Sequence, residues 1–227
     1  MKENTVEFCS ATASFSKAMK KHGNKAFTID IDSHWKPNIV IDVRLFRIDL
    51  LPNKFVDRAW FSPPCTKFSV AAMYRNWKNG KPINKETEEA IEIVKACIRI
   101  KDELLKINPD MKWYIENPRG MLRKQGFMKG QGIRHTICYC QYGDTSMKPT
   151  DIWTNDLDWI PRKMCNNGSA CHNSARRGSD TGTQGKGGGG KYGWVERTRI
   201  PSDLFKDILK NRDSKIVQLS LKEVLIR

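Results

Sequence analysis

The 227-residue sequence is short of acid: 25 Asp and Glu stand against 40 Lys and Arg, a formal charge of +15. That imbalance argues against basic partners and for a polyanionic one, most simply nucleic acid. No apolar run is long enough to cross a bilayer, so no membrane partner is expected. No secretory leader is expected, and the seven cysteines are odd in number, which disfavours a disulfide scaffold and fits a reducing cytoplasm. Internal repeats are absent. A chain of this length buries one good core with room for an elaboration.

Short apolar runs alternate with helical patterns. Strands are expected at 5–10, 26–31, 39–43, 58–62 and 112–115. Residues 136–141 and 151–154 read as a hairpin pair or as consecutive sheet strands. Between them, 12–22 carries Phe15, Ala18 and Met19 on one helical face and stops at Gly23. Residues 86–107 carry a longer stripe of Ala90, Val94, Cys97, Ile100 and Leu104, stopped by Asn108-Pro109. Such alternation predicts a three-layer α/β fold with a mostly parallel central sheet, whose ligands sit at the carboxyl ends of the strands. Residues 73–82 read as a basic loop in which Trp77, with Arg75 and Lys78, could meet phosphates and bases. From about 156 to 198 apolar residues thin out. Basic residues there include Arg162, Lys163, Arg176, Arg177, Lys186 and Lys191, and Gly187 to Gly190 form a four-glycine run. This stretch reads as a small irregular basic insertion between a catalytic domain, 1–155, and a C-terminal helical segment, 199–227, opened by a Ser202 cap.

Two strand ends carry reactive groups. Ala59-Trp60-Phe61 leads into Pro63-Pro64-Cys65, where two fixed proline φ angles set a thiol on a rigid turn. Trp113-Tyr114-Ile115 leads into Glu116-Asn117-Pro118. A thiol nucleophile and a carboxyl proton donor at neighbouring strand ends suit covalent attack on an electron-poor ring.

These residues resemble the DNA cytosine-5 methyltransferases. Pro63-Pro64-Cys65-Thr66-Lys67-Phe68-Ser69 and Glu116-Asn117-Pro118 match in order and separation, supported by Ser14-Phe15-Ser16 near the start and by Tyr142-Gly143. The resemblance covers most of 5–155. It implies a Rossmann-like methyltransferase fold and a cytosine of DNA flipped out of its duplex. Cys65 would add to C6, Glu116 would protonate N3 and hold the exocyclic amine, and Asn117 would orient the thiol turn. In the later pocket motif a Gln and two Arg are replaced by Ser146, Lys148 and Thr150, leaving Lys148 as the one positive charge. It further implies S-adenosylmethionine, held by the loop containing Cys9, Ala11, Ala13, Ser14 and Phe15, by Asp30 or Asp32, by Asp42 and by Pro63.

At that loop the chain departs from the family. Cys9 stands where an aromatic would stack on adenine, and Ala11 and Ala13 stand where glycines let a ligand approach. Two donors are therefore weighed: S-adenosylmethionine, giving a methyl group, or methylenetetrahydrofolate, giving 5-hydroxymethylcytosine. A binding protein that had lost catalysis is the reading from another class, and it would need neither Cys65 nor Glu116. The resemblance further suggests a monomer, loose sequence specificity, and a bacterial or phage-infected host cytoplasm. Cys138, Cys140, Cys165, Cys171 and His172 could supply zinc, but C-x5-C-H plus C-x-C matches no common structural pattern, so free thiols and no metal are expected.

Overall fold

The computed structural model describes residues 2–172, 195 and 198–210. Its centre is a seven-stranded sheet. The strands are β1 (Asn4–Phe8), β2 (Lys25–Asp30), β3 (Ile39–Val40), β4 (Arg58–Phe61), β7 (Lys112–Pro118), β8 (Ile133–Cys138) and β9 (Pro149–Thr154), in spatial order β3-β2-β1-β4-β7-β9-β8. All adjacent pairs from β3 to β7 are parallel, and β9 runs antiparallel to both its neighbours. This is the Rossmann-like α/β architecture with a mostly parallel sheet.

Alternation along the central strands builds two cores. In β4, Ala59 and Phe61 point to one face and Trp60 to the other; in β7, Trp113 and Ile115 oppose Tyr114 in the same way. The first face is covered by helix α3 (Lys85–Ile107) through Ala90, Val94, Cys97, Ile100 and Leu104. The Asn84 side chain starts α3 by accepting the Thr87 N–H at 2.9 Å. The second face is covered by α1 (Ser14–Lys21) and by a helix at 202–210, α4. Phe15 and Met19 of α1 meet Leu204, Phe205 and Ile208 around Trp60, and the Phe15 ring stacks on Trp60 at 5.6 Å. Residues near the C-terminus thus complete a core begun at residue 15.

Most expected elements form within a few residues of their predicted bounds. Two differ. The third strand shrinks to two residues because Asp42 caps a 3-10 turn at Val43–Leu45, its carboxylate accepting the Arg44 N–H. Residues 73–82 are not a plain loop. They form a short helix, α2 (Met73–Asn76), and a hairpin of β5 (Trp77–Lys78) and β6 (Lys81–Pro82).

The topology locates the site. Strand order reverses between β1, which leads outward to β2, and β4, which leads to β7. At such a switch point the connecting segments part and open a crevice beyond the strand ends. The segments that flank it here are residues 9–13 and the Pro63-Pro64-Cys65 turn. The Ser62 N–H, bonded to Phe8 O at 3.1 Å, joins them at their base.

Candidate active site

The Cys65 turn is held from three directions. Asn117 Nδ2 donates to Pro63 O at 3.1 Å, so the residue after Glu116 ties β7 to the turn. Cys65 O accepts the N–H groups of Phe68 and Ser69, which folds the chain back after the thiol. Phe68 O then accepts the Met121 N–H at 2.8 Å, and Ser69 bridges to Gly120. Gly120 suits this approach, because a Cβ there would run into the Phe68 carbonyl. Trp77 does not present its ring to solvent. It is buried against Phe68, with Nε1 donating to Lys67 O at 2.6 Å, and so anchors the segment after the thiol. The exposed aromatic of this region is Tyr74, beneath the Arg75 guanidinium. The sequence does not tell which ring is exposed, because indole and phenol side chains both fit a basic loop and only packing separates them.

Register brings Glu116 beside the thiol. Phe61 pairs with Ile115, so Glu116 is the next residue along β7 and Cys65 lies four residues beyond its partner strand. Glu116 is buried, and Tyr139 Oη donates to its Oε1 at 2.8 Å. Tyr139 opens the 3-10 turn after β8, and no motif in the sequence singled it out. The spacing of Tyr139 and Tyr142 is a clue only once that turn is known. Lys148, at φ 28°, places Nζ 4.6 Å from the centre of the Tyr139 ring.

The electrostatics of this group are coupled. Burial pushes the Cys65 thiol above its ordinary value; the Lys148 ammonium pulls it down and Glu116 pushes it up. Burial also raises Glu116, against the Lys148 charge and the Tyr139 hydrogen bond. Nearby Asp151, fully buried, is neutralised by Arg123, which donates through Nε at 2.7 Å and also through a second guanidinium nitrogen. Cys65, Glu116, Asn117 and Lys148 are therefore assembled in one place. Thr150 joins them: its side chain hydrogen-bonds Tyr139, and its Oγ1 lies 3.0 Å from Lys148 O, while the Ser146 N–H goes to Asp144.

Across the crevice, Cys9, Ala11 and Ala13 all have left-handed backbone, with φ of 53°, 36° and 52°. The bend that glycines would permit is present although the glycines are not. Carboxylates hold it. Asp30 accepts the Ala11 N–H at 2.7 Å and the Asp32 N–H at 2.9 Å. Ala13 is the N-cap of α1 without a side-chain acceptor, and Glu7 takes over that role from within β1, accepting the N–H groups of Ser16 at 2.7 Å and Phe15 at 3.3 Å. Burial lifts Glu7 to about 7 in spite of those bonds.

The residues expected to hold a donor are thus only partly available to one. Asp30 stands at the end of β2, its carboxylate oxygens able to accept further bonds. Asp32 caps the 33–35 turn, and Asp42 is tied to Arg44 through a two-point pair. Phe15 has gone into the core, and Ser14 Oγ accepts the Ile200 N–H. Pro63 is buried, its carbonyl taken by Asn117. Cys9 faces the first core, close to Cys97, which pushes its thiol well up. On the other side of the loop lies a cleft of about 320 Å³. Lys17, Lys20, Lys36 and Arg199 line it, and no acidic residue lines it among the described residues. Of the basic insertion, Arg162 is engaged with Asp207 and with Gln141 O. Arg176, Arg177, Lys186, Lys191 and the glycine run lie outside the described residues.

No protein-family model and no curated protein sequence matches this chain. Among solved structures, similarity is found to a DNMT2 mutant of Spodoptera frugiperda at 18% identity and TM-score 0.47, covering 72% of this chain and 56% of that one. A methyltransferase of Entamoeba histolytica, EhMeth, is 13% identical with a TM-score of 0.46, covering 68% and 52% respectively. Dnmt2 methyltransferase of S. pombe is 14% identical with a TM-score of 0.44, covering 71% and 52%. The matched part spans little more than half the length of each.

Proposed function

We infer that this protein transfers a one-carbon group to C5 of a cytosine in DNA through a covalent Cys65 adduct. The observation that carries this reading is the convergence of Cys65, Glu116, Tyr139 and Lys148 at adjoining strand ends. Each group has a task. Cytosine C5 is a poor nucleophile until a thiolate adds to C6. The Cys65 sulfur forms that bond while Glu116 gives a proton to N3, and the electron pair moves to C5. C5 then takes the one-carbon group, loses its proton to a base, and the C6–S bond breaks to return the thiolate.

The coupling between the two groups favours this order. A raised Glu116 keeps its proton nearer neutral pH than an ordinary carboxyl group, as a general acid needs. While that proton is in place, Glu116 no longer opposes ionisation of Cys65, and Lys148 assists it. Asn117 acts as a positioning residue, through its hold on the Pro63 carbonyl. The basic character of the chain suits a phosphate backbone.

For the donor we take S-adenosylmethionine, with the bent 9–13 backbone and Asp30 as the groups that would hold it; the bound cofactor would supply an electrophilic methyl. A second reading rests on the cationic cleft beside that loop. Lys17, Lys20, Lys36 and Arg199 suit an anionic donor such as methylenetetrahydrofolate better than a sulfonium cation. Incubation with cytosine-containing DNA and each donor, followed by mass analysis of the nucleosides, separates them. A gain of a methyl group supports the first, and a gain of a hydroxymethyl group the second. Salt-dependent DNA binding without product from either supports a binding protein instead. DNA carrying 5-fluorocytosine, which cannot release a C5 proton, should trap wild-type protein covalently. Cys65→Ala should trap none and lose more than about 10⁴-fold in turnover. Full activity of C65A would end the covalent reading.

A further inference from the structure

The cysteines outside the active site are not scattered. Cys140 lies in the turn after β8, while Cys165, Cys171 and His172 follow β9 in the apolar-poor segment. The structure draws one ligand atom from each of the four into a group in which all lie within 4.8 Å of one another. Cys165 Sγ is 3.2 Å from Cys171 Sγ, and each of these sulfurs is 3.5 Å from His172 Nδ1. Cys140, Cys165 and His172 are buried, and Cys171 is exposed.

We propose that Cys140, Cys165, Cys171 and His172 form a structural zinc site of three thiolates and one imidazole. Zinc takes such ligands tetrahedrally, with Zn–S about 2.3 Å and Zn–N about 2.0–2.1 Å, which puts neighbouring S and N atoms about 3.5 Å apart and neighbouring sulfurs about 3.8 Å apart. The sulfur-to-nitrogen separations already match, and the Cys165–Cys171 pair opens by about half an ångström to admit the ion. Gln141 Nε2 lies 3.4 Å from Cys171 Sγ and 3.9 Å from Cys140 Sγ, as an outer donor to thiolate ligands would. Cys138 is not a ligand: its Sγ points to Met164 Sδ and Cys165 O. Four ligands fill a tetrahedron and leave no open position, which marks the site as structural.

The position explains the use of a metal. Trp159 is buried in the second core, but beyond it Ile160 is exposed and Met164 is 41% exposed, so residues 160–172 bring little apolar surface into a core. Among the described residues, the buried apolar cluster that includes Cys140 and Cys165 is completed by Cys138 and Met147. A metal supplies binding energy where a core of that size cannot. It also fastens the segment to the residue next to Tyr139, and so to the hydrogen bond on Glu116.

Metal content of the full-length protein tests this directly. Protein purified under reducing conditions and dialysed against a weak chelator should retain one zinc ion per chain by mass spectrometry of the metal. Cobalt(II) put in its place should give the intense visible bands of a tetrahedral thiolate site. Cys140→Ser, Cys165→Ser, Cys171→Ser and His172→Ala should each lose the metal, and Cys138→Ser should keep it. If a ligand variant fails to fold, thiol modification of wild-type protein with a mercurial should release one zinc per chain, read with a chromogenic chelator. Failure of reduced protein to take up zinc would overturn the proposal. So would retention of the ion by a folded C165S/C171S double variant, or a Cys165–Cys171 disulfide that persists in place of metal uptake under reducing conditions.

Discussion

The two walls of the crevice treat their backbones in opposite ways. On the thiol side, the tightest approach falls on Gly120, the one residue type that meets the Phe68 carbonyl without a Cβ in the way. On the loop side, Cys9, Ala11 and Ala13 hold left-handed φ with side chains attached. Such conformations cost about 1–2 kcal/mol per residue. They persist because hydrogen bonds from elsewhere overrule local preference. Asp30 holds Ala11, Glu7 holds the first turn of α1, and Ser10 O accepts the Ala13 N–H. A hydrogen bond to a charged group contributes about 1.5–3 kcal/mol, enough to offset one such residue. Apart from Lys148 at φ 28°, the thiol wall is locally relaxed, whereas the loop wall is bent by its surroundings.

The contrast can be broken most sharply at Gly120. Gly120→Ala forces the Phe68 carbonyl away from Met121 and should destabilise the protein by about 3 kcal/mol in chemical denaturation. A loss under about 0.5 kcal/mol would mean that the thiol turn can shift freely.

Glu7 offers the next largest effect. Its folded value of about 7 lies above the ordinary 4.5. The folded state therefore holds its proton more tightly, and that stabilisation is complete below pH 4.5 and is lost as pH rises through 7, amounting to about 3 kcal/mol. Glu7→Gln removes this contribution. The stability difference between wild type and E7Q should change by that amount from pH 4.5 to pH 8, with the wild type losing ground. A constant difference would place the charge of Glu7 elsewhere.

On the thiol wall, alkylation of Cys65 reads the coupling without any substrate. Above the pH at which Glu116 gives up its proton, Glu116→Gln removes a negative charge that opposes the thiolate, so the rate of modification should rise by up to about tenfold there and stay unchanged below it; Lys148→Ala should lower it by a similar factor. The other thiols are followed in parallel by peptide mass spectrometry. Equal rates in all three proteins would separate Cys65 from both partners. The smallest effect belongs to the strained loop. Ala13→Gly relieves the left-handed penalty but adds freedom to the unfolded chain, leaving a net gain of about 0.5–1 kcal/mol in thermal or chemical unfolding. A loss of stability would show that the Ala13 methyl packs usefully.

Much of this was legible along the chain. Short apolar runs and helical patterns located β1, β2, β4, β7, α1 and α3, since a strand buried on both faces or a helix with one apolar stripe leaves a local trace. Cys65, Glu116 and Asn117 were visible because their motifs are contiguous. Tyr139 was not, since its link to Glu116 depends on how β8 and β9 pair beyond β7. Trp77 was misread for a similar reason: whether an aromatic faces solvent or a carbonyl such as Lys67 O depends on packing from ten residues away.

By itself, then, the sequence determined the order of strands and helices, the rigid thiol turn and the positive charge, because each rests on neighbouring residues. Tertiary structure decided the rest. Strand order set Glu116 beside Cys65, and distant carboxylates imposed a glycine-like bend on alanines. The turn after β8 met the segment after β9, so that Cys140 joined Cys165, Cys171 and His172. Separation along the chain carries no information about such meetings, since contacts between distant segments are set by the packing of the whole sheet.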